Sequence, residues 1–330
     1  LGNILRDLGK PKEAEISFRK AIKINPNFAM ANYNLGIVLF DNGNLKAAEL
    51  YTRKAIVLNP DFANAHFNLG SILRDLGNLQ EAFNSYLKAI EINPKNSNFY
   101  TLITRFIRDS DPSQLNKLNL KNILKSLLER NDLPHKELIT AFNFVYSNEI
   151  IINLEKIGSD FSKIGLLVND KAIINALKKI IFCNVTLEQI LTKTRKNICT
   201  LIANNKKEIS YSQLKFIIAL GEQCFLNEYI YSTTEEESSS LNTIINRCKD
   251  RELNETSISI LSCYFPLYTL LDRIPSLKSF ASSNQTFKEL MILQISEPLK
   301  EIELSKEIKK LGSINDDVSQ RVKSQYEENP

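Results

Sequence analysis

Small and hydrophobic residues recur at a spacing of 34 positions through the first hundred residues of the chain, with polar residues between them. The recurring positions are Leu1-Gly2, Leu35-Gly36 and Leu69-Gly70; Gly9, Gly43 and Gly77; Ala14, Ala48 and Ala82; Ala21, Ala55 and Ala89; and Pro26, Pro60 and Pro94. A fixed period of this length predicts stacked two-helix hairpins, because each hairpin can bury its apolar face only against its neighbours.

Each unit predicts a first helix (helix A), a glycine turn, a second helix (helix B) and a proline turn. In the second unit we expect helix A over about 31–41 and helix B over about 45–58. Glycine and alanine at the contact let the two helices approach closely, and a larger side chain there typically costs about 1–3 kcal/mol. The first unit lacks most of its helix A, and residues 97–108 are expected to form a terminal capping helix because no glycine turn follows Ile107.

After Pro112 the 34-residue period stops, but the pattern stays helical. One apolar stripe consists of Leu120, Ile123, Leu124, Leu127 and Leu128. Further helices are expected over about 170–184, 186–204, 210–232, 239–249 and 256–272. Helix start signals occur at Asp132, Thr186 and Ser210, and Pro266 should end or bend its helix. Turns are expected around Ser159, Asn205, Thr233 and Ser282. Residues 150–152 favour a strand by local preference, but their helical surroundings predict a helix.

Composition excludes several kinds of site. The net charge of +4 is small and the acidic and basic residues are interspersed, so no dedicated nucleic-acid surface is predicted. Six of the 10 glycines belong to the repeats, which leaves no glycine cluster for a phosphate or dinucleotide loop. His66 and His135 are the only histidines, which gives poor support to metal hydrolysis or a Ser-His-Asp triad. We therefore predict no metal, no catalytic residue and no cofactor-binding residue in this chain.

The five cysteines, Cys183, Cys199, Cys224, Cys248 and Cys263, are odd in number and lie far apart in sequence. This pattern predicts buried, reduced thiols in a cytoplasmic protein, since it fits neither a disulfide framework nor a zinc knuckle. No apolar run reaches the length of a membrane span, so no membrane association is expected. Leu1 is not an initiator methionine, and a signal peptide ahead of it stays open.

The first third of the chain resembles the tetratricopeptide repeat family in its Leu-Gly pairs, its paired alanines, the aromatic residues Phe18 and Tyr86, and its closing prolines. It departs from the family pattern at Thr52, where an aromatic residue is usual, and at Asn32 and His66, where a tryptophan is usual. The resemblance implies a curved stack with helix A on its concave wall.

On that wall the resemblance places a row of polar residues that recur from one repeat to the next. Asparagine amides both donate and accept hydrogen bonds, so they can pair with the backbone of an extended peptide. The candidate peptide-binding residues are Asn3, Asp7, Asn34, Asp41, Asn68 and Asp75, with Tyr33, Phe67 and Ile37 as further apolar contacts or core residues. The row resembles the asparagine ladder of O-linked N-acetylglucosamine transferases, although solvated polar residues near helix turns would give the same pattern.

Four segments of the second part resemble the helical region of bacterial tetratricopeptide-containing methyltransferases. They are residues 220–229, 234–237, 263–267 and 295–299, and residues 316–318 and 325–330 resemble the lead into the catalytic domain of that family. The resemblance implies that an S-adenosylmethionine-binding domain follows position 330 and that the cofactor is bound there, not in this chain. Glu222, Cys224, Asn227, Glu228 and Tyr229 could suggest a cysteine nucleophile, but the apolar residues around them predict packing.

The sequence thus predicts an all-α protein with a tetratricopeptide solenoid over 1–108, an irregular helical domain over 109–312 and a helical lead-in over 313–330. The leading functional hypothesis is a region that recruits a protein or peptide to a methyltransferase. The alternatives are a stand-alone adaptor without enzymatic activity and the recruiting arm of a glycosyltransferase. The sequence does not identify the partner, the methyl acceptor or the oligomeric state.

Overall fold

The computed structural model describes residues 1–157, 160–204, 208–250 and 253–307, with Leu166 described by its backbone alone. In the first third, helices follow one another in hairpins. They are α1 (Gly2–Asp7), α2 (Pro11–Ile24), α3 (Ala29–Asp41), α4 (Leu45–Leu58), α5 (Ala63–Asp75), α6 (Leu79–Ile92) and α7 (Ser97–Asp109). Helices A are therefore α1, α3 and α5, and helices B are α2, α4 and α6. Each helix packs against the next one along the chain, which confirms the predicted repeat stack.

Two kinds of glycine form each hairpin. Gly43 and Gly77 turn the chain between helices A and B with φ angles of 78° and 81°, a region that other residues rarely adopt. Gly70 instead lies inside helix A, where an added methyl group would come within 2.7 Å of the Tyr86 ring on helix B. The turn therefore needs glycine because of its backbone conformation. Helix A needs glycine at position 70 because a larger residue would not fit against Tyr86.

The second part of the chain is also helical, and no strand occurs among the residues described. Its helices are α8 (Lys117–Glu129), α9 (Ile139–Ile157), α10 (Gly165–Val168), α11 (Lys171–Lys179), α12 (Val185–Ala203), α13 (Tyr211–Leu226), α14 (Glu235–Lys249), α15 (Glu255–Leu261), α16 (Gln285–Met291) and α17 (Glu297–Glu307). Short 3₁₀ helices and one π-helical turn, Ile292–Ser296, connect them. Residues 150–152 lie within α9, and the apolar stripe of α8 is buried, as predicted.

Several helix ends differ from the sequence prediction. Helix α11 ends at Lys179, because residues 180–183 run extended with Ile180 and Phe182 buried and the intervening side chains exposed. Helix α13 ends at Leu226, because Glu228 and Tyr229 adopt left-handed φ angles of 55° and 59°. These ends depend on which side chains find an apolar neighbour, which local sequence does not reveal.

The predicted helix over 256–272 stops at Leu261, five positions before Pro266, and Pro266 precedes a separate 3₁₀ helix. Two start signals and one predicted helix start were also misplaced. Asp132 does not cap a helix but pairs with Arg130 at 2.6 Å, Asn184 instead of Thr186 caps α12, and α14 begins at Glu235 instead of 239. Ser210 caps α13 as predicted. The predicted turns at Ser159 and Asn205 and the lead-in over 313–330 lie outside the described residues.

Two apolar cores run through the molecule. The smaller includes Ala14, Leu35, Leu39 and Ile72 and joins the first two repeats to the third. The larger is one cluster of described residues whose members lie between Leu69 and Ile295 in the sequence. Helix α7 contacts α6 on one side and α9 with the 3₁₀ helix His135–Leu138 on the other. The expected boundary at residue 108 therefore stays a prediction, since the apolar core passes across it.

Candidate protein-binding face of the repeats

The six candidate residues lie on the helices A of the three repeats, α1, α3 and α5, and the resemblance to tetratricopeptide repeats places them on the concave surface. We call this surface the inner face, comprising Asn3, Asp7, Met30, Tyr33, Asn34, Ile37, Phe40, Asp41, Asn64, Asn68, Ser71, Arg74 and Asp75. Asn3, Asp7, Asp41 and Asp75 are exposed, Asn68 is half-buried and Asn34 is only 6% exposed. A ligand in this face would therefore meet the four exposed side chains first.

The two asparagines in equivalent positions have different surroundings. Asn34 lines a cavity of about 440 Å³ together with Asn3, Phe28 and Met30, so the structure brings two of the candidates into one site. The Asn68 amide lies close to the Tyr33 hydroxyl. The pKa of Tyr33 is raised because the ring is largely buried, while Arg6 and the Asn68 amide act in the opposite direction. Asn68 thus already has a polar neighbour within the chain.

The aromatic residues of helices A connect successive repeats. The Tyr33 ring packs on Phe62 with 4.5 Å between ring centroids, and the Phe67 ring stacks on Phe99 at 4.9 Å and lies 5.1 Å from Tyr86. These contacts give Phe67 a packing role, one of the two roles that the sequence left open. Ile37 and Tyr33 remain partly exposed on the inner face.

Charged residues that the sequence reasoning missed also lie on this side of the stack. Arg74 pairs with Asp75 at 2.7 Å, Arg6 with Asp7 at 3.4 Å, and Arg108 with Asp109 at 2.7 Å. The Arg108 guanidinium holds the pKa of Asp109 below its usual value, with smaller contributions from Arg74 and Arg105. Because the Arg-Asp pairs also recur at 34 positions, the same period that gave the asparagines could have revealed them.

The residues that could suggest a cysteine nucleophile, Glu222 to Tyr229, form part of a buried interface and not an open site. Glu222 pairs with Lys178 at 3.0 Å, and both side chains are largely buried. Burial raises the pKa of Glu222, and Lys178 opposes this shift. Cys224 is completely buried, and the Tyr229 hydroxyl donates to the Ser262 carbonyl at 3.2 Å. The arrangement agrees with the packing role that the sequence predicted.

The segments that carried the methyltransferase resemblance are linked by contacts of their own residues and of Ser262 and Gln294, which directly precede two of them. Gln294, in the π-helical turn, donates to the Gly221 and Ser262 carbonyls, and the Tyr264 hydroxyl donates to Glu237 at 2.7 Å. Glu237 also caps its own helix with Thr234 and pairs with Arg195, and both charged side chains are 1% exposed. The acidic stretch 234–237 is therefore a helix start, and Glu237 within it is buried.

The described residues contain no group of acidic, histidine and cysteine side chains suited to a metal ion. They also contain no strand followed by a glycine-rich turn, so they do not supply the usual nucleotide-type site that S-adenosylmethionine would need. Cys199, Cys224, Cys248 and Cys263 are buried and form no disulfide, whereas Cys183 is exposed, contrary to the expectation for all five. In the described part of the chain, no helix is long and apolar enough to cross a bilayer.

Comparison with known proteins identifies the repeats. Tetratricopeptide repeat models match residues 29–62 and 63–96, and a further model of the same repeat matches residues 2–43. Residues 2–96 are therefore tetratricopeptide repeats, a module that supports a role in protein–protein interaction. No curated protein matches the sequence.

Two solved structures illustrate the likeness. The crystal structure of MamA is 31% identical with a TM-score of 0.31, and the match covers 32% of this chain and 62% of that one. The structure of Naa15/Naa10 bound to HypK-THB is 13% identical with a TM-score of 0.35, and the match covers 91% of this chain and 54% of that one. The chain thus spans less than two thirds of either protein. Both TM-scores are low, and nothing about function is inferred from them.

Proposed function

We propose that the inner face of the repeats binds an extended segment of a partner protein. The observation that carries this proposal is the recurrence of Asn34 and Asn68 at equivalent positions of two helices A, which also carry the exposed side chains of Asp41 and Asp75. Their amides would pair with the backbone of the segment, and Asn3, Asp7, Asp41 and Asp75 would contact its side chains. Backbone pairing gives affinity without strict sequence preference, which suits a recruiting module.

We further propose that this recruiting region serves a methyltransferase whose catalytic domain binds S-adenosylmethionine outside the present chain. The support is the sequence resemblance of residues 220–229, 234–237, 263–267 and 295–299, together with their packing into one buried network. In this proposal the repeats hold the substrate protein and the helical part connects them to the catalytic domain. We place the function in the cytoplasm, where the buried thiols would stay reduced.

The test of peptide binding is the double substitution Asn34→Ala with Asn68→Ala, measured by titration against a partner selected for binding to the unsubstituted chain. We expect the affinity to fall by about tenfold or more, because two backbone hydrogen bonds are lost at about 1 kcal/mol each. Tyr33→Phe removes the hydroxyl beside Asn68 but keeps both amides, so it separates altered surroundings of Asn68 from lost peptide contact. Unchanged affinity in the double variant would remove the asparagines from the binding site.

The methyltransferase part has its own test. The residues encoded after position 330 distinguish the proposal from the adaptor alternative: a hydrophobic strand followed by a glycine-rich turn supports it, and a stop codon contradicts it. If such a domain is present, methyl transfer to the selected partner should require the repeats.

A further inference from the structure

The inner face carries a second periodic feature at the carboxyl end of helices A and of α7. Four residue pairs occupy equivalent positions there: Arg6-Asp7, Phe40-Asp41, Arg74-Asp75 and Arg108-Asp109. In three of them the arginine pairs with the adjacent aspartate, at distances of 3.4, 2.7 and 2.7 Å. The chain therefore neutralises most of this row of carboxylates with its own arginines.

The second repeat is the exception, because Phe40 takes the place of the arginine. Asp41 is exposed, and within the described part of the chain no cationic group lies within 4 Å of its carboxylate. Arg6, the nearest member of the row on the preceding helix A, already pairs with Asp7. Asp41 is thus the one carboxylate of the row that no arginine in the described part of the chain pairs with.

The surroundings of Asp41 are apolar, in contrast to those of Asp75 in the next repeat. Helix α3 presents Met30, Tyr33, Ile37 and Phe40 to the inner face, each at least partly exposed. The equivalent residues of α5 are Asn64, Phe67, Ser71 and Arg74. A long side chain with an aliphatic stem and a cationic head fits the α3 surface, because its stem can cover Phe40 and Ile37 while its head reaches Asp41.

We propose that the partner segment supplies a lysine or arginine that pairs with Asp41 and lies across Phe40, in the place that Arg74 and Arg108 fill in their own repeats. This inference rests on the proposed binding of an extended segment to the inner face, and it names the side chain that the second repeat selects. An exposed ion pair together with a cation–π contact corresponds to about threefold to tenfold in affinity.

The experiment selects 12-residue peptides from a random display library on the intact 330-residue chain. We expect the enriched peptides to share a lysine or arginine at one aligned position. For the strongest peptide, Asp41→Asn should weaken binding about threefold to tenfold, and norleucine in place of the conserved cation should weaken it equally. Combining the two changes should cause no further loss, because both remove the same interaction.

Asp41→Lys should reverse the preference and enrich aspartate or glutamate at the same peptide position. The matched control is Asp272→Asn, which removes another exposed carboxylate from the helical part and should leave the affinity unchanged. Peptides that depend on Asn34 and Asn68 but show no cation preference, or a preference that Asp41→Lys leaves in place, would overturn this inference alone. Failure to enrich any peptide that depends on Asn34 and Asn68 would overturn the proposed function as well.

Discussion

Some buried polar side chains of this fold have a hydrogen-bond partner, and others have none. Thr52 stands where tetratricopeptide repeats usually have an aromatic residue, and its hydroxyl is buried without a hydrogen bond. Thr104 is equally buried, but its hydroxyl donates to the Tyr100 carbonyl at 2.8 Å. The two threonines therefore form a natural comparison between an unpaired and a paired hydroxyl.

We expect Thr52→Val to raise the free energy of unfolding by about 1 kcal/mol, because it replaces an unpaired buried hydroxyl with a methyl group of similar size. Thr104→Val should lower the free energy of unfolding by about 1 kcal/mol, since a satisfied hydrogen bond is lost. Urea denaturation followed by circular dichroism measures both. Equal effects of the two substitutions would contradict the assignment of the Thr52 hydroxyl as unpaired.

Glu237 and Glu236 provide a second comparison at this scale. Burial alone would raise the pKa of Glu237, but hydrogen bonds from Thr234 and Tyr264 and the Arg195 guanidinium outweigh it and hold the pKa below its usual value. Glu237→Gln leaves Arg195 buried without its ion-pair partner and should cost about 3 kcal/mol. Glu236→Gln, which removes only an exposed pair with Lys196, should cost less than about 1 kcal/mol.

The lowered pKa of Glu237 also predicts a pH dependence. Its stabilising effect is present above the pKa of the unfolded chain, about 4.3, and is lost as the pH falls through the lower pKa of the folded protein. Unfolding measured from pH 6 down to about pH 3 should therefore show less acid destabilisation in Glu237→Gln than in the unsubstituted chain. An identical acid dependence in both proteins would contradict the lowered pKa.

Within each repeat, glycine is needed for one reason in the turn and for another inside helix A. At Gly43 an added methyl group would meet no atom within 4 Å, so Gly43→Ala should cost about 1 kcal/mol through its left-handed backbone alone. At Gly70 the backbone is helical, and Gly70→Ala should cost about 1–3 kcal/mol because the methyl group meets the Tyr86 ring. Gly70→Ala combined with Tyr86→Ala should relieve the clash, whereas the Gly43 effect should be unaffected by Tyr86→Ala. Thermal denaturation of the three single variants, Gly43→Ala, Gly70→Ala and Tyr86→Ala, and of the two double variants distinguishes the two mechanisms.

Over the whole molecule, the core from Leu69 to Ile295 couples the third repeat to the helical part. Ile107, which is 1% exposed in α7, lies in this core, and Ile107→Ala should cost about 2–5 kcal/mol. We expect hydrogen exchange to show reduced protection in α5 and α6 and also in α8 and α9. Leu39→Ala in the smaller core should act mainly on α3 and α4. Loss of protection limited to the repeats in Ile107→Ala would show that the two parts unfold separately.

The intact chain is also predicted not to bind S-adenosylmethionine, because the described residues lack the strand and glycine-rich turn of the usual site. Isothermal titration calorimetry with the cofactor should give only heats of dilution. A saturable event in the micromolar range would contradict the placement of the cofactor in a separate domain.

The repeat period, the helix pairs, the glycine turns and the positions of the inner-face residues follow from the sequence itself, because all of them depend on contacts between residues that are close in the chain or one repeat apart. Only the tertiary structure decided that α11 ends before Ile180 and that Glu237 is buried against Arg195. These features depend on contacts between distant segments, such as the 42 positions that separate Arg195 from Glu237. Local propensity and period carry no information about such pairs, since burial and charge pairing arise only when the helices pack.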